Sequence, residues 1–312
     1  MRNLMIINAI KTLVFITLLM SYPTQAQDWP RVFHNADGST TTLMAPAKRI
    51  LSTSVSITGT LLAVDAPVVA SATTSNGHYF AQWQAVAEKK GVEPLWPAGS
   101  VDLEMVYAYE PDLIIVSLSG ADSALGQLAV LRQVAPTVVL DYGGQNWQQL
   151  AEKIGEVAGI EQKVAAKISQ FDDFIDKTRS TLTLPKGQVN IISYHGPGVT
   201  NPIATANGSH GMLLKSLGFD VEEPDPAWQT GSGQLNDFVR SHYEHLIEMT
   251  ASTTFLLNAT DAQVPPFLHD PVLANLPSVK ANQVYGLGAN SFRIDYFSAH
   301  EVIDEIRARF GN

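Results

Sequence analysis

The longest amphipathic pattern in the chain lies near its middle, over residues 161–182. Apolar or small side chains recur there at intervals of three and four residues, which places them on one face of an α-helix: Val164, Ile168, Phe171, Ile175 and Thr178. Gly159 precedes the stretch, and Pro185 and Gly187 follow it, as is typical of helix ends. A helix of about 20 residues is roughly 30 Å long. The pattern therefore predicts one long helix that connects the two halves of the chain.

Short apolar runs alternate with amphipathic segments before this helix. Two alternating runs flank Asp37 and Gly38, which predicts a β-hairpin with its turn at the Asp-Gly pair. Strands are then predicted over residues 49–53, 67–70, 112–117 and 137–141, and helices over residues 58–63, 80–90, 101–109 and 123–134. Residues 91–100, which include Trp96, are expected to form a loop.

The same alternation returns after the central helix. Strands are predicted over residues 189–193, 219–221, 254–258 and 283–285, and helices over residues 208–217, 235–248, 270–275 and 296–310. Such an order is typical of a mostly parallel sheet with helices on both faces. The expected fold class is therefore α/β, with two Rossmann-like lobes that have mostly parallel sheets and are joined by a single long helix. We place the first lobe at residues 27–160, the connecting helix at 161–187 and the second lobe at 188–312. A ligand cleft is expected where the carboxyl ends of the two sets of strands face each other.

The first 26 residues carry a different pattern. Arg2 and Lys11 precede a short apolar run over residues 12–20, and the small residues Thr24 and Ala26 stand just before Gln27. A basic start, an apolar run too short to cross a bilayer and small residues at the cleavage site predict a secretory signal peptide over residues 1–26. The mature protein is therefore expected to be secreted across the inner membrane into the periplasm. The alternative is an uncleaved membrane anchor.

The composition of the mature chain excludes several classes of function. The sequence has no cysteine, which removes disulfides, thiolate metal ligands and cysteine nucleophiles. Its formal charge is −10, and loss of Arg2 and Lys11 with the signal peptide leaves 18 basic against 30 acidic residues, a charge of −12. We expect no nucleic-acid partner, because phosphate recognition needs clustered lysines and arginines. An anionic ligand would have to bind at a local exception to this charge.

Motifs for nucleotide binding and catalysis are incomplete. Three Gly-x-Gly pairs begin like a dinucleotide fingerprint but lack its third glycine, and no phosphate-binding loop motif is present. Ser209 lies in Asn-Gly-Ser-His-Gly, which matches a nucleophile elbow only in part, so a helix-capping serine is favoured over a hydrolase nucleophile. His242 and His245 could share a helix face as metal ligands. The spacing supplies no third ligand, however, and surface histidines are favoured.

Residues 283–299 combine a strand, a glycine-rich loop and Arg293 at the start of a helix, with aromatic residues beside the arginine. A guanidinium is a planar, permanently charged donor, and a helix N-terminus adds a positive partial charge. This combination favours the binding of an anionic, aromatic ligand. The alternative is an ion pair between Arg293 and Asp295 or another local carboxylate.

Several segments of the sequence resemble periplasmic ferric-enterobactin-binding proteins. These segments are residues 28–31, 49–70, 111–116, 135–137 and 147–171, together with Phe-Arg-Ile-Asp-Tyr-Phe-Ser-Ala at 292–299. The resemblance covers nearly the whole mature chain and is weakest between residues 201 and 234. It implies a class III substrate-binding protein, with two α/β lobes and a rigid connecting helix. Such a protein captures a ferric catecholate siderophore similar to enterobactin and delivers it to the permease of an inner-membrane ABC importer for iron uptake.

The resemblance also has implications for cofactors and assembly. The Fe³⁺ arrives within the siderophore, whose own oxygens fill the metal's coordination sphere. No cofactor, protein ligand to the metal or catalytic residue is therefore implied, and the protein is expected to be a monomer and not an enzyme.

The candidate ligand-binding residues follow from the resemblance and from the predicted loops. Arg293 matches the family motif and is the first candidate, and Arg240 is a second cation. The other candidates lie in loops or at predicted strand ends: Thr53, Ser54, His78, Tyr79, Trp96, Tyr194 and His195. For the aromatic candidates, ordinary packing is the alternative to ligand contact. Family members carry an arginine in the loop at residues 73–79 and a tryptophan near 201–203, and this sequence has neither. A linear or less charged catecholate is therefore an alternative to enterobactin.

Two glutamates are implied to contact the importer. Glu104 and Glu244 match glutamates on the lobe surfaces that the wider family uses to engage arginines of the transporter. Exposed ion pairs contribute only about 0–1 kcal/mol each, but they orient a complex. The alternative for both residues is solvated surface charge.

Two other functions are weighed for the whole chain. A haem or corrinoid receptor of the same fold would use an axial histidine or an apolar slot instead of an arginine. A periplasmic siderophore-ester hydrolase would need a base and an orienting acid near a serine.

Overall fold

The structure, a computed structural model, describes residues 29–231 and 237–312, so the predicted signal peptide at 1–26 lies outside the described residues. The hairpin predicted at Asp37 and Gly38 is present. Strand β1 (Arg31–His34) pairs antiparallel with β2 (Thr40–Leu43), and Gly38 adopts a φ of 81°, a left-handed conformation that glycine reaches without steric cost.

The first sheet has five parallel strands in the order β5-β4-β3-β6-β7. They are β3 (Ile50–Ser52), β4 (Val68–Thr73), β5 (Glu93–Pro97), β6 (Leu113–Ser117) and β7 (Thr137–Leu140). The helices of this lobe are α1 (Val55–Ala63), α2 (Ala81–Lys90), α3 (Leu103–Ala108), α4 (Leu128–Val134) and α5 (Trp147–Ala158). All residues of β6 and β7 are buried, as expected for strands that helices cover on both faces.

The prediction of a loop over residues 91–100 is wrong, because Trp96 lies within β5. The strand is not predicted because it contains Pro94 and Pro97, and proline has no N–H to donate to a sheet. β5 lies at the edge of its sheet, where proline is tolerated.

The predicted central helix is present as α6 (Glu161–Arg179). Its apolar face is the one expected from the sequence, with Val164, Phe171 and Ile175 buried and Ile168 partly buried. Gly159 ends α5 in a left-handed conformation, so the chain turns directly from α5 into α6.

The second sheet has the order β10-β9-β8-β11-β12. Its strands are β8 (Val189–Ile192), β9 (Thr200–Ala204), β10 (Phe238–His242), β11 (Thr253–Leu256) and β12 (Val284–Gly286). The helices of the second lobe are α7 (Ser209–Ser216), α8 (Pro265–Leu268), α9 (Pro277–Lys280) and α10 (Tyr296–Phe310). Strands β8, β11 and β12 are parallel, whereas β9 and β10 are antiparallel neighbours. The predicted fold class is confirmed.

Three elements of the second lobe differ from the prediction. Residues 219–221, predicted as a strand, form an isolated bridge from Val221 to Val189 and are not part of a named strand. The helix predicted over residues 235–248 is wrong for the described residues, which form β10 and then a 3₁₀ helix, Tyr243–Glu248. Strand β9, which contains Pro202, is absent from the predicted elements. The Pro202 carbonyl accepts a 2.8 Å hydrogen bond from the backbone N–H of Ser193, although proline has no N–H to donate in return.

One cluster of buried apolar residues spans both lobes, and each lobe also has a smaller cluster of its own. The Trp147 ring of α5 contacts the Phe171 ring of α6 at 5.0 Å and the Tyr296 ring of α10 at 5.2 Å, so three helices from both sides of the cleft meet in one aromatic cluster. The start of α10 also packs against the first lobe, where Asp295 accepts a 3.1 Å hydrogen bond from Gln82 of α2. Within the described part of the chain, no helix is both long and apolar enough to cross a membrane.

Candidate functional site

Arg293 lies between the two lobes. It follows β12 in the loop that leads into α10, and it is half-buried. Its guanidinium carbon is 5.0 Å from the centre of the Tyr142 ring, which belongs to the first lobe, and 5.6 Å from the centre of the Phe292 ring. These distances are within the range of cation–π contacts. The predicted motif therefore places a cation and two aromatic rings where the lobes meet.

The charge of Arg293 has no direct partner among the residues that the structure describes. Eight arginines lie in the described residues, and six of them bind carboxylates or backbone carbonyls: Arg31 with Glu161, Arg49 with the carbonyls of Tyr109 and Glu110, Arg132 with Asp37, Arg179 with Asp176, Arg307 with Asp304 and Arg309 with Asp261. The guanidinium groups of Arg240 and Arg293 make no hydrogen bond or ion pair within residues 29–231 and 237–312. Both arginines are therefore available to an anion.

The alternative of an ion pair between Arg293 and Asp295 is not what the structure contains. Asp295 caps α10, and its carboxylate accepts hydrogen bonds from the backbone N–H groups of Phe297 at 2.8 Å and Ser298 at 3.0 Å. Its other oxygen accepts the bond from Gln82. With the Ser298 hydroxyl at 3.4 Å, four donors thus occupy Asp295, and the carboxylate stabilises the helix and the contact between lobes.

Tyr142 is held in place by Asp122. The phenol donates a 3.0 Å hydrogen bond to one carboxylate oxygen of Asp122, and the other oxygen accepts bonds from the Ser54 hydroxyl at 2.6 Å and the Ser56 backbone N–H at 2.9 Å. Asp122 is only 4% exposed. Burial raises the pKa of Tyr142, so the phenol stays protonated and keeps donating. The ring that contacts Arg293 is therefore fixed in orientation.

Gly120 makes room for this ring. Its φ is 93°, and a Cβ atom placed there would lie 1.8 Å from the Tyr142 hydroxyl oxygen. Any other residue at this position would be strained and would displace the phenol. The orientation of the Tyr142 ring thus depends on a glycine that adds no side chain of its own to the site.

His210 and Asp237 line the same narrow cavity as Arg293 and Tyr142. The His210 Nε2 atom donates a 2.8 Å hydrogen bond to the Ser291 carbonyl, and burial lowers the pKa of His210 to about 4, so this histidine is neutral at pH 7. Burial raises the pKa of Asp237, while the backbone N–H of Ser209 and the charge of Arg293 oppose that shift. Arg293 is therefore the permanent cation among these lining residues.

The remaining predicted residues of the first lobe are not among those that line the cavity at Arg293. Thr53 and Ser54 follow β3, and the Thr53 hydroxyl donates to the Ile115 carbonyl at 3.1 Å. The Tyr79 hydroxyl donates to the Val92 carbonyl at 3.2 Å, and its ring packs against Trp83. Trp96 is buried in the lobe, whereas His78 is exposed in a loop. Of this group, Ser54 reaches the Arg293 site, through Asp122.

In the second lobe, Tyr194 and His195 follow β8. The Tyr194 hydroxyl donates a 2.7 Å bond to Asp270, and the His195 ring bonds Ser193 and the Thr200 carbonyl. Neither residue lines the cavity around Arg293. Arg240 is exposed on β10, on the same side of the strand as Phe238, because side chains alternate along a strand. The Phe238 ring stacks on Phe292 at 5.4 Å, so the strand that carries Arg240 packs against the loop that carries Arg293.

The contacts of Ser209 and of His245 bear on two other functions weighed from the sequence, a serine hydrolase and a histidine metal site. The Ser209 hydroxyl donates to the Gln145 carbonyl at 2.9 Å and to Asp237 at 3.3 Å, while His210 is turned to Ser291, so the described residues contain no Ser209–histidine pair. His245 stacks on Trp228 and pairs with Glu248 instead of sharing a metal with His242. Among the described residues, no group of three His, Asp or Glu side chains is arranged to hold a metal ion.

Sequence reasoning missed Tyr142 and Asp122. A signal for Tyr142 was available, because it directly follows a predicted strand, at the sheet edge where ligands of α/β proteins bind. No pattern pointed to Asp122, whose role depends on atoms contributed by three separate segments.

The fold and the cleft define the class of this protein. Two α/β lobes joined by one long helix, with an arginine and aromatic rings between them, are the features of a substrate-binding protein. The model of the periplasmic binding protein family matches residues 50–291, and the chain belongs to this family.

Comparisons with individual proteins refine the class. The chain is 36% identical to the ferric enterobactin-binding periplasmic protein FepB of Escherichia coli O6:H1 over 297 residues, which cover 92% of both chains. It is 55% identical to ViuP in the crystal structure of its holo form, with a TM-score of 0.90 and coverage of 91% of this chain and 96% of that one. The periplasmic catecholate-siderophore binding protein VctP of Vibrio cholerae shares the fold at 17% identity and a TM-score of 0.63, over 90% of this chain and 100% of that one. The resemblance seen in the sequence is confirmed.

The carboxylate of Asp295 should make the free energy of unfolding depend on pH. Burial raises its pKa from 3.8 to about 6, so the folded protein binds more protons than the unfolded chain between about pH 4 and pH 6. This group therefore lowers the free energy of unfolding as the pH rises through that interval. The Asp295→Asn variant keeps a capping oxygen but cannot titrate. We expect the fall to be smaller in the variant when both proteins are unfolded in urea at several pH values.

The difference between the wild type and the Asp295→Asn variant gives the contribution of Asp295 to the pH dependence of unfolding. The depressed pKa of His210 acts in the opposite direction over a similar interval, but it is common to the wild type and the variant. Identical pH dependence in the two proteins would contradict the assignment.

Proposed function

We propose that this protein binds a ferric catecholate siderophore in the cleft between its lobes and delivers it to an inner-membrane ABC importer. The observation that carries the proposal is the half-buried Arg293 guanidinium, which has no anionic partner among the described residues and contacts the rings of Tyr142 and Phe292. The relatives named above support the same class of ligand, since FepB binds ferric enterobactin and VctP a catecholate siderophore.

The chemistry of the ligand matches these groups. A ferric tris-catecholate carries three negative charges and three aromatic rings around an iron whose coordination sphere is full. A protein site needs cations to offset the charge and aromatic faces to contact the rings, in surroundings dry enough to strengthen both interactions. Arg293 supplies a cation and Tyr142 supplies an aromatic ring where the lobes meet. Arg240, on β10, is the second candidate cation. The iron belongs to the cargo, so no resident cofactor and no catalysis are needed.

The location and partners follow from the same function. A siderophore receptor works in the periplasm, after removal of residues 1–26, and hands its ligand to a permease through the glutamates on its surface. Glu104 lies in the first turn of α3 on the first lobe, and Glu244 lies in the 3₁₀ helix after β10 on the second lobe; both are exposed. A monomer presents one copy of each.

A fluorescence titration tests the proposal. The indole of Trp147 lines the cavity at Arg293, so a ligand bound there should quench part of the tryptophan emission. We expect saturable quenching by ferric enterobactin, with intact siderophore recovered from the complex. Quenching by haem alone would favour a haem receptor, and recovery of cleaved ester would favour a hydrolase; either result would contradict the proposed function.

A further inference from the structure

Two exposed apolar side chains stand out by their surroundings. In the described residues, eight large apolar side chains are at least one-third exposed: Val32, Met44, Tyr107, Leu125, Val130, Val199, Ile247 and Val272. Only Tyr107 and Ile247 in this described set are preceded, three residues earlier, by an exposed acidic residue. Residues three apart lie on the same side of a helical turn, so each apolar group is adjacent to a carboxylate.

These two pairs occur once in each lobe. Glu104 and Tyr107 lie on α3, and Glu244 and Ile247 lie on the 3₁₀ helix Tyr243–Glu248. Tyr107 and Ile247 are each 55% exposed, although Val106 and Leu246, their neighbours in the same turns, are fully covered. Within the part of the chain that the structure describes, neither glutamate carboxylate forms an ion pair or accepts a hydrogen bond. Each lobe therefore presents the same combination of a free carboxylate and an uncovered apolar group.

We propose that Tyr107 and Ile247 are docking residues, which insert into apolar pockets beside cationic side chains on the periplasmic face of the importer's transmembrane subunits. This inference rests on the proposed function and adds an apolar component to a contact otherwise assigned to charge alone. The occupant is chosen by complementarity: an exposed carboxylate next to an exposed apolar side chain fits a surface that places a cation beside an apolar pocket. The repetition of the pair on both lobes fits a partner with two similar surfaces related by a two-fold axis.

Apolar insertion supplies what the glutamates cannot. Exposed ion pairs contribute about 0–1 kcal/mol each and are screened by salt, so they guide and orient a complex without holding it. A few residues that become fully desolvated in well-packed pockets carry most of the affinity at protein interfaces, and tyrosine is enriched among them. Tyr107 and Ile247 are thus expected to control how long the loaded protein stays on the importer, while the glutamates control its orientation.

The test uses the full-length protein in its own bacterium, with the chromosomal gene replaced by each variant. Uptake of ⁵⁵Fe-labelled enterobactin is measured, together with the amount of protein in the periplasm and the affinity of the purified protein for the ferric siderophore. We expect the double variant Tyr107→Ser, Ile247→Ser to lose at least about tenfold in uptake at unchanged ligand affinity. The conservative double variant Tyr107→Phe, Ile247→Leu should retain uptake, because it keeps both apolar groups.

A matched control comes from exposed apolar residues that lack the acidic neighbour. The double variant Val199→Ser, Val272→Ser removes apolar groups of similar exposure, 49% and 50%, and should leave uptake unchanged. The inference is overturned if the docking variant keeps uptake within about twofold of the wild type, or if the control loses as much uptake as the docking variant. Failure of the proposed function is recognised separately, because deletion of the gene would then leave uptake intact or the wild-type protein would not bind the ferric siderophore.

Discussion

Replacing Arg293 with alanine should weaken the binding of a ferric catecholate siderophore at least tenfold, about 1.4 kcal/mol in binding free energy. The guanidinium is half-buried beside Tyr142 and Phe292, and its charge has no direct partner in the described residues. A charge in such partly dry surroundings attracts an anion more strongly than one in bulk water does. The affinity is measured by tryptophan fluorescence titration of the purified protein.

The same substitution should leave the fold intact. A half-buried cation without a partner costs desolvation energy, so its removal is expected to keep the free energy of unfolding unchanged or to raise it. Arg307→Ala is the matched control, because Arg307 is exposed and pairs with Asp304 on the same turn of α10. It removes the same charge but should change the affinity by less than about twofold, since exposed charges are screened. Unchanged affinity in a folded Arg293→Ala protein would remove this residue from the site.

The second large effect is expected from Gly59→Ala, at the contact between the lobes. Gly59 lies within α1, and a Cβ atom there would be 2.7 Å from an Asp295 carboxylate oxygen and 2.8 Å from the Trp83 indole nitrogen. Trp83 is 1% exposed and Asp295 is 4% exposed, so neither can move away freely. Overpacking of this kind typically lowers the free energy of unfolding by about 1–3 kcal/mol. Chemical denaturation of the wild type and the variant measures the loss.

A second glycine separates this steric effect from the general effect of adding a methyl group. A Cβ atom added at Gly126 would meet no atom within 4 Å, and Gly126 does not have a positive φ, so Gly126→Ala should be neutral or slightly stabilising. If both alanine variants unfold at the same denaturant concentration as the wild type, the lobes are not in the close contact described.

How far the sequence predicts the fold depends on the kind of element. Helices α6 and α10 are predicted to within a few residues, because their apolar faces are long and their ends carry clear signals. Strands β5 and β9 escape prediction, because each contains proline and their pairing is decided by position in the sheet. Strand β10 is mistaken for a helix, since five residues are too few to distinguish the two periods.

The candidate site is predictable only on one side of the cleft. Arg293 stands in a distinctive motif at a helix start, and the sequence alone identifies it as a candidate. Tyr142 approaches it from the other lobe, and this proximity exists only after both lobes have folded around α6. Tyr79 and Trp96 illustrate the opposite case, since aromatic residues near loops can pack inside a lobe as readily as they can face a ligand.

The aromatic cluster of Trp147, Phe171 and Tyr296 ties the two walls of the cleft to the interior of the protein. This aromatic cluster belongs to a set of buried apolar residues that spans both lobes, while each lobe also has a smaller set of its own. The packing that stabilises the fold therefore also sets the distance between the two sides of the site. Substitutions far from Arg293 that loosen this packing should therefore lower both the affinity for the ligand and the free energy of unfolding. Substitutions that improve the packing should raise both.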